Sequence, residues 1–266
     1  EIGSGLVGSE MCIRDRYILD NFSHKISRYA LEKGTFMGKT EVPFVAWDME
    51  AFDDNDFLFT CLNNNPDVKV SPSPVDFAVW RTDSHWQITD KYLPVEKEYT
   101  ELYGKSRYFT RYKHDIVFHS FQYDGFFTFS RKEDPVFHPI LFSRPFPRDN
   151  ESRLKEANSG QWQLLAETPF VVDGYNIVEI SIAGQGQQMF AVNASNKIFG
   201  NSEVCPKNIP INIIGTMGNH FVGYINDNYE LYRNLVAYGF QKGSPEAEDI
   251  LSRGGCCLII YSVGNL

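Results

Sequence analysis

The sequence predicts an all-β chain built from repeated hairpins, and three observations carry that expectation. Aromatic side chains make up 15% of its 266 residues, and aromatic and β-branched residues suit a pleated, half-buried surface. Two Asp-Gly steps, Asp124-Gly125 and Asp173-Gly174, stand between apolar runs, the signature of tight hairpins whose turn positions take positive φ. Four segments of one plan, an apolar strand, a turn marked by Asp, Asn or Gly, and an aromatic strand, begin at residues 43, 116, 169 and 220. The last three starts are 53 and 51 residues apart and the first gap is 73. A strand-built period near fifty suits the blade of a β-propeller, which must stack on its neighbours to cover both its faces.

Along the chain, the hairpins are PFVAWDMEAFDDNDFLFTCL, IVFHSFQYDGFFTFSRK, PFVVDGYNIVEISIAG and HFVGYINDNYELYRNL. Further strands are expected at VDFAVWRT, QQMFAVNA and PINIIG, and CCLIIY is the longest apolar run and strand-sized. Two helices are expected. ESRLKEA is amphipathic; SPEAEDILSRGG has Ser244 as N-cap, Pro245 at the first helical position and Gly254 as a stop. Helices between strands also leave room for an α/β arrangement.

Net charge is −9 and pI about 5.2, with no basic stripe of the kind a nucleic-acid partner would meet. The most basic stretches, SRYFTRYK and RDNESR, are short and read as solvated faces. No apolar run reaches the ~18 residues of a membrane span. The five cysteines form no CxxC pattern and read as small apolar residues. The acidic run DMEAFDDND lacks the Gly and final Glu of a calcium loop and reads as a solvated hairpin. In KHDIVFH, His119 shares a strand face with Asp115 while His114 points away, a poor zinc triad.

Two carboxylates stand out. Asp115 opens a strand and is placed to line a propeller's central funnel. Glu167, in LLAETPFVVDGY, sits between apolar neighbours, where burial would raise a carboxyl's pKa and suit it to general-acid work.

These residues resemble glycoside hydrolase family 43 and its five-bladed relatives. VDFAVWRTDSHWQITDKYL is similar to the family's strand and Ser/Thr-x-Asp-x-x-Trp turn, with Asp83 and Trp86 in place; ETPFVVDGY is similar to its acid-bearing blade, and TMGNHFVGYINDNYELY to its Gly-His strand. The resemblance, over residues 41–232, implies Glu167 as general acid, Asp115 as the carboxylate that tunes it, and Glu41 beside the base position, where TEVPFV carries Val42 instead of Asp. It implies Trp86, Trp162, Phe126 and His220 as substrate contacts, no cofactor beyond a structural cation near His220, a carbohydrate partner and an extracellular or periplasmic location. A rival resemblance is to GT-B glycosyltransferases, on ILFSRPFPRDNESRLKEA and the segment from residue 221 to 265. A non-catalytic sugar-binding β domain is the third alternative.

LVGSEMCIRDR, residues 6–16, resembles a translated sequencing-library adapter. Residues 1–16 are therefore expected to be a disordered artefact, and residues 17–266 one propeller-like domain, truncated at its start.

Overall fold

The computed structural model describes residues 15–62, 74, 76–95, 101, 105–156, 161–172, 174–193, 195–199, 212–237, 239 and 241–261. It is an all-β, five-bladed β-propeller with few short helices: five antiparallel sheets follow one another along the chain. By contact density the chain divides into two compact units, one of Glu1–Pro169 and Val178–Gln188, the other of Phe170–Ile177 and Met189–Leu266.

The first unit holds three whole sheets. Sheet 1 runs β1 (Asp15–Asp20), β2 (Lys25–Ala30) and β3 (Phe36–Glu41). Sheet 2 runs β4 (Asp48–Asp53), β5 (Asp56–Thr60), β6 (Phe77–Asp83) and β7 (Ile88–Pro94). Sheet 3 runs β8 (Phe109–Tyr112), β9 (Asp115–Phe118), β10 (Gly125–Phe129) and β11 (Val136–Pro139). Helix α1 (Asn150–Glu156) follows. β5 shows why the sheets stack. Phe57 and Phe59 enter a cluster with Ile26, Phe44, Trp80 and Trp86. Leu58, on the opposite face, enters one with Tyr108, Ile116 and Phe118. Alternation sends successive side chains to opposite faces, so the apolar run Phe57–Phe59 at the centre of β5 needs cover on both.

Sheet 4 comprises β12 (Gln163–Leu165), β13 (Phe170–Val172), β14 (Tyr175–Ile182), β15 (Gly186–Asn193) and β16 (Ile198–Phe199), with β12 and β13 both pairing β14. The unit boundary falls within β14 and β15. In the second unit, Phe170, Val172, Ile177, Ala191, Ile213 and Phe221 make a core cluster. Sheet 5 there orders β17 (Asn212–Met217), β18 (His220–Asn226) and β19 (Cys256–Tyr261). Helices α2 (Tyr229–Ala237) and α3 (Pro245–Ser252) pack Tyr232, Leu235 and Leu251 against Ile225.

Several expectations change. NYELYRNL is helix α2, not the second strand of a hairpin. Asn228 caps it through Leu231 N–H to Oδ1 at 2.8 Å, and the buried Tyr232 and Leu235 recur at helical spacing. The GT-B arrangement needs residues 139–143 and Cys256–Tyr261 as parallel neighbours in one sheet. Instead β11 pairs antiparallel with β10, and β19 pairs antiparallel with β18 in a different sheet. SRYFTRYK is no solvated face: it carries β8, and Arg111 is 3% exposed. Arg153 of RDNESR is also buried, its Nε donating to Pro147 O at 2.9 Å. The acidic run is tied down rather than solvated, with Glu50 paired to Arg111, Asp53 to Arg131 and Asp56 to Arg81. Of the cysteines, Cys61 is buried as expected, but Cys256 is exposed. Asp15 and Arg16, assigned above to the artefact, pair with Ala30 and Tyr29 in the first ladder, and Asp15 is buried. Residues 1–14, and Asp173 of the second Asp-Gly step, lie outside the described residues. No helix among the described residues is long and apolar enough to cross a membrane.

Candidate functional site

Glu167 owes its position to a β-bulge. Leu165 pairs with Ile180 and Phe170 with Ile177, so residues 166–169 stand opposite only 178–179, and the extra chain bows out of the ladder. Pro169, which lacks the N–H a ladder needs, fits that interruption. The bulge is fastened to β8 and its lead-in. Thr168 Oγ1 donates to Tyr108 O at 2.8 Å, and Thr110 Oγ1 donates to Pro169 O at 2.5 Å. Ser106 N donates to Glu167 Oε1 at 3.4 Å. Glu167 is half-buried, and its Oε2 is buried with no hydrogen-bond partner among the described residues.

The lead-in to β8 brings two cations to this carboxylate. Lys105 Nζ donates to His119 O at 3.2 Å and lies 4.9 Å from the ring centre of Phe121 and 5.7 Å from that of Tyr108. Burial pulls its pKa down to about 7, against the carboxylates of Glu101, Glu167 and Asp48, which favour the ammonium. Arg107 carries its charge beside Glu167, Glu179 and Asp48. Glu179, on β14, is pushed up first by burial and then by the Glu167 charge, while Arg107 pulls it down.

Three neighbours are already committed to structure. Asp48 accepts from Tyr108 N at 2.6 Å, Phe109 N at 3.1 Å and Met49 N at 2.8 Å. Burial still pushes its pKa up to about 6, against those three donors. Glu101 is buried and accepts from Phe121 N at 3.2 Å. His119 is buried between Gly125 O, 2.7 Å from Nδ1, and Leu165 O, 3.0 Å from Nε2. Burial and the Lys105 charge hold its pKa well below the usual histidine range.

The other sequence-derived candidates do not converge on Glu167. Asp115 pairs with Tyr112 at the hairpin end of β8 and β9 and accepts from Ser130 Oγ at 2.8 Å. Ser106 lies beyond the other end of β8, six residues away at ~3.3 Å per residue of extended chain, so Asp115 is not placed to tune Glu167. Glu41 is exposed at the end of β3, and Val42, at the expected base position, is a core residue at 3% exposure. Trp86 is buried, 5.0 Å from Phe57 between ring centres, and so is a core residue rather than a sugar platform. Its turn is structural: Asp83 Oδ1 accepts from His85 N at 2.8 Å and Gln87 N at 2.9 Å. Phe126 is buried and stacks on His138 at 4.8 Å. Trp162 is half-buried against Phe146. His220 is exposed at the start of β18 in the second unit, and no group of three or more His, Cys, Asp or Glu suited to a metal occurs among the described residues.

The sequence reading missed Asp48, Lys105, Arg107 and Glu179. One signal was available: Glu179 is a lone carboxylate inside the apolar strand NIVEISI, and a charge there needs a partner.

A family model described as a 6-bladed beta-propeller, DUF5128, matches residues 14–143. No curated protein matches the chain. Among solved structures, a Bacteroides fragilis NCTC 9343 protein inferred to be exported is similar with a TM-score of 0.69 at 13% identity, over 99% of this chain and 81% of that one. A streptogramin B lyase is similar with a TM-score of 0.40 at 14% identity, over 79% of this chain and 58% of its own. A Bacteroides vulgatus ATCC 8482 member of the duf4221 family gives 0.43 at 11% identity, over 70% and 62%. Sheet order and the likeness to the Bacteroides fragilis structure agree: this chain is a five-bladed β-propeller, similar over residues 14–143 to a six-bladed family.

Proposed function

We propose that this protein is a carbohydrate-recognising propeller in which Glu167 accepts a hydrogen bond from a ligand hydroxyl. The observation that carries this reading is the buried Glu167 Oε2, without a partner among the described residues, on a bulge flanked by Lys105 and Arg107. A buried carboxylate oxygen left unpaired is costly, and a hydroxyl donor relieves the deficit. Carboxylates and cations side by side offer both acceptors and donors, which suits a polyol. An extracytoplasmic location is the one such a ligand implies. Glycoside hydrolysis, the finer reading, needs two carboxyls across the scissile bond, and Asp115 is not placed to be the second.

Calorimetric titration of wild type and Glu167→Gln against a panel of neutral oligosaccharides tests the reading. The amide keeps the shape but loses an acceptor, so affinity is expected to fall at least ~10-fold, about 1.4 kcal/mol. Equal binding by the variant, or no saccharide bound by the wild type, refutes it. Release of aryl alcohol from aryl glycosides, abolished by the same substitution, would raise the reading from binding to hydrolysis.

A further inference from the structure

We propose that the open face of sheet 5 is an interface on which a second copy of this chain stacks, sheet against sheet. The surface lies wholly in the second unit and does not depend on the carbohydrate reading.

Alternation gives β18 two unlike faces. On one side Phe221 enters the core cluster with Phe170, Ile177 and Ile213, and Ile225 enters the cluster formed with α2 and α3. Cys257 and Ile259 of β19 pack with Ile225 there. Val222 and Tyr224 turn the other way, in register with Ile260 and Leu258. On that side Leu258 is 67% exposed and Ile260 52%. The register places no Asp, Glu, Lys or Arg on this face. One exposed leucine means little, but a contiguous apolar patch without charge marks a contact surface.

A second copy fits it for two reasons. The closed face already stacks on sheet 4, with Ile213 and Phe221 against Phe170, Ile177 and Ala191, so the open face continues an established sheet-to-sheet packing. Its relief is also self-complementary. Gly215, Val222 and Ile260 form one rung across the three strands. A two-fold axis along β18 sets Ile260 of each copy over Gly215 of the other, a projecting side chain over a position that has none. The face measures about 20 Å by 14 Å, from strand rise and spacing. Side-chain relief enlarges the area buried, but not to the ~800 Å² per partner of a standard specific interface. The dimer is therefore weak and reversible, with a Kd on the order of 100 µM.

Sedimentation velocity on the full chain between about 5 and 500 µM tests this, for wild type, Leu258→Lys and Ile260→Lys. The wild type is expected to pass from monomer to dimer across that range. Each lysine should weaken association at least ~10-fold, because a charge enclosed in the stack has no partner. Both side chains face solvent in a single copy, so the variants should keep the wild-type urea midpoint. Methyl spectra of the wild type alone give a reading that needs no variant: Leu258 and Ile260 signals shift with concentration, while Ile225, on the closed face, stays still. A wild type monomeric throughout overturns the proposal and leaves the face to a sixth sheet, the number of blades in the matched family's description. Dimers that survive both substitutions, with the Leu258 and Ile260 methyls unmoved, overturn it as well.

Discussion

Asp48 shows how much one side chain holds in the first unit. Its carboxyl gathers Tyr108 N–H, Phe109 N–H and Met49 N–H, and so joins the first residue of β4 to the start of β8. Removing the acceptor strands the N–H groups of Tyr108 and Phe109, both buried residues at the start of β8. Asp48→Ala is expected to destabilise the protein by about 2–4 kcal/mol, read as a lowered urea midpoint at unchanged m-value. Asp48→Asn, which keeps an acceptor, should lose clearly less. Local pattern favoured a solvated loop because DMEAFDDND packs five acids into nine residues. What decides otherwise is distant in sequence: Arg81 arrives when β6 pairs with β5, and Tyr108, Arg111 and Arg131 only when sheets 2 and 3 meet. The bulge at Glu167 has a local cause instead. A glutamate before Thr-Pro in an apolar strand marks a place where the ladder must open, whatever lies across from it.

At the scale of elements, hairpins were legible and the α2 helix was not. Asp124-Gly125 predicted a turn, and Gly125 opens β10 with φ +148°, a conformation L side chains rarely adopt. A Cβ there would meet His138 O at 2.2 Å and the Phe137 ring at 2.9 Å. Gly125→Ala must therefore push β11 off β10. Its expected signature is local: faster amide exchange from Val136 to His138, with a global loss of about 2 kcal/mol or more. Protection unchanged along β11 would count against that. YELYRNL reads as a strand because Tyr and Leu suit one and the neighbouring Asp-Asn resembles a turn. Asn228 acts as a cap instead, and the buried residues follow helical spacing. Likewise Trp86 lay in a resembling motif, yet its φ of 62° turns the ring into the core, so the motif proved to be a turn device. Short motifs carry backbone requirements more faithfully than they carry ligand contacts.

For the whole molecule, the fifty-residue repeat outlasted every local error, because two-sided burial of strands such as β5 is a property of stacking that single positions do not spoil. The same burial fixes how stability depends on pH. Lys105 has its pKa lowered to about 7 from 10.5, so between those values the unfolded chain holds a proton the folded one has released. Stability therefore rises with pH across that window and carries the full penalty of a buried ammonium below it. His119, well below 6.5 when folded, acts in the same direction at lower pH: its contribution is complete above about 6.5 and is lost as the medium turns acid. Asp48 opposes both. With its pKa raised from 3.8 to about 6, it binds its proton more readily when folded, so its contribution weakens as pH rises from about 4 to 6. Two groups favour the alkaline side and one the acid side, with the Lys105 window unopposed by Asp48. Urea unfolding at pH 7, 8.5 and 10, for wild type and Lys105→Met, isolates it. The wild type should gain stability relative to the variant as pH rises, since methionine keeps the apolar stem between Tyr108 and Phe121 but carries no proton to lose. A constant difference between the two would mean that Lys105 keeps its charge in the fold, and that the carboxylates of Glu101, Glu167 and Asp48 outweigh its burial.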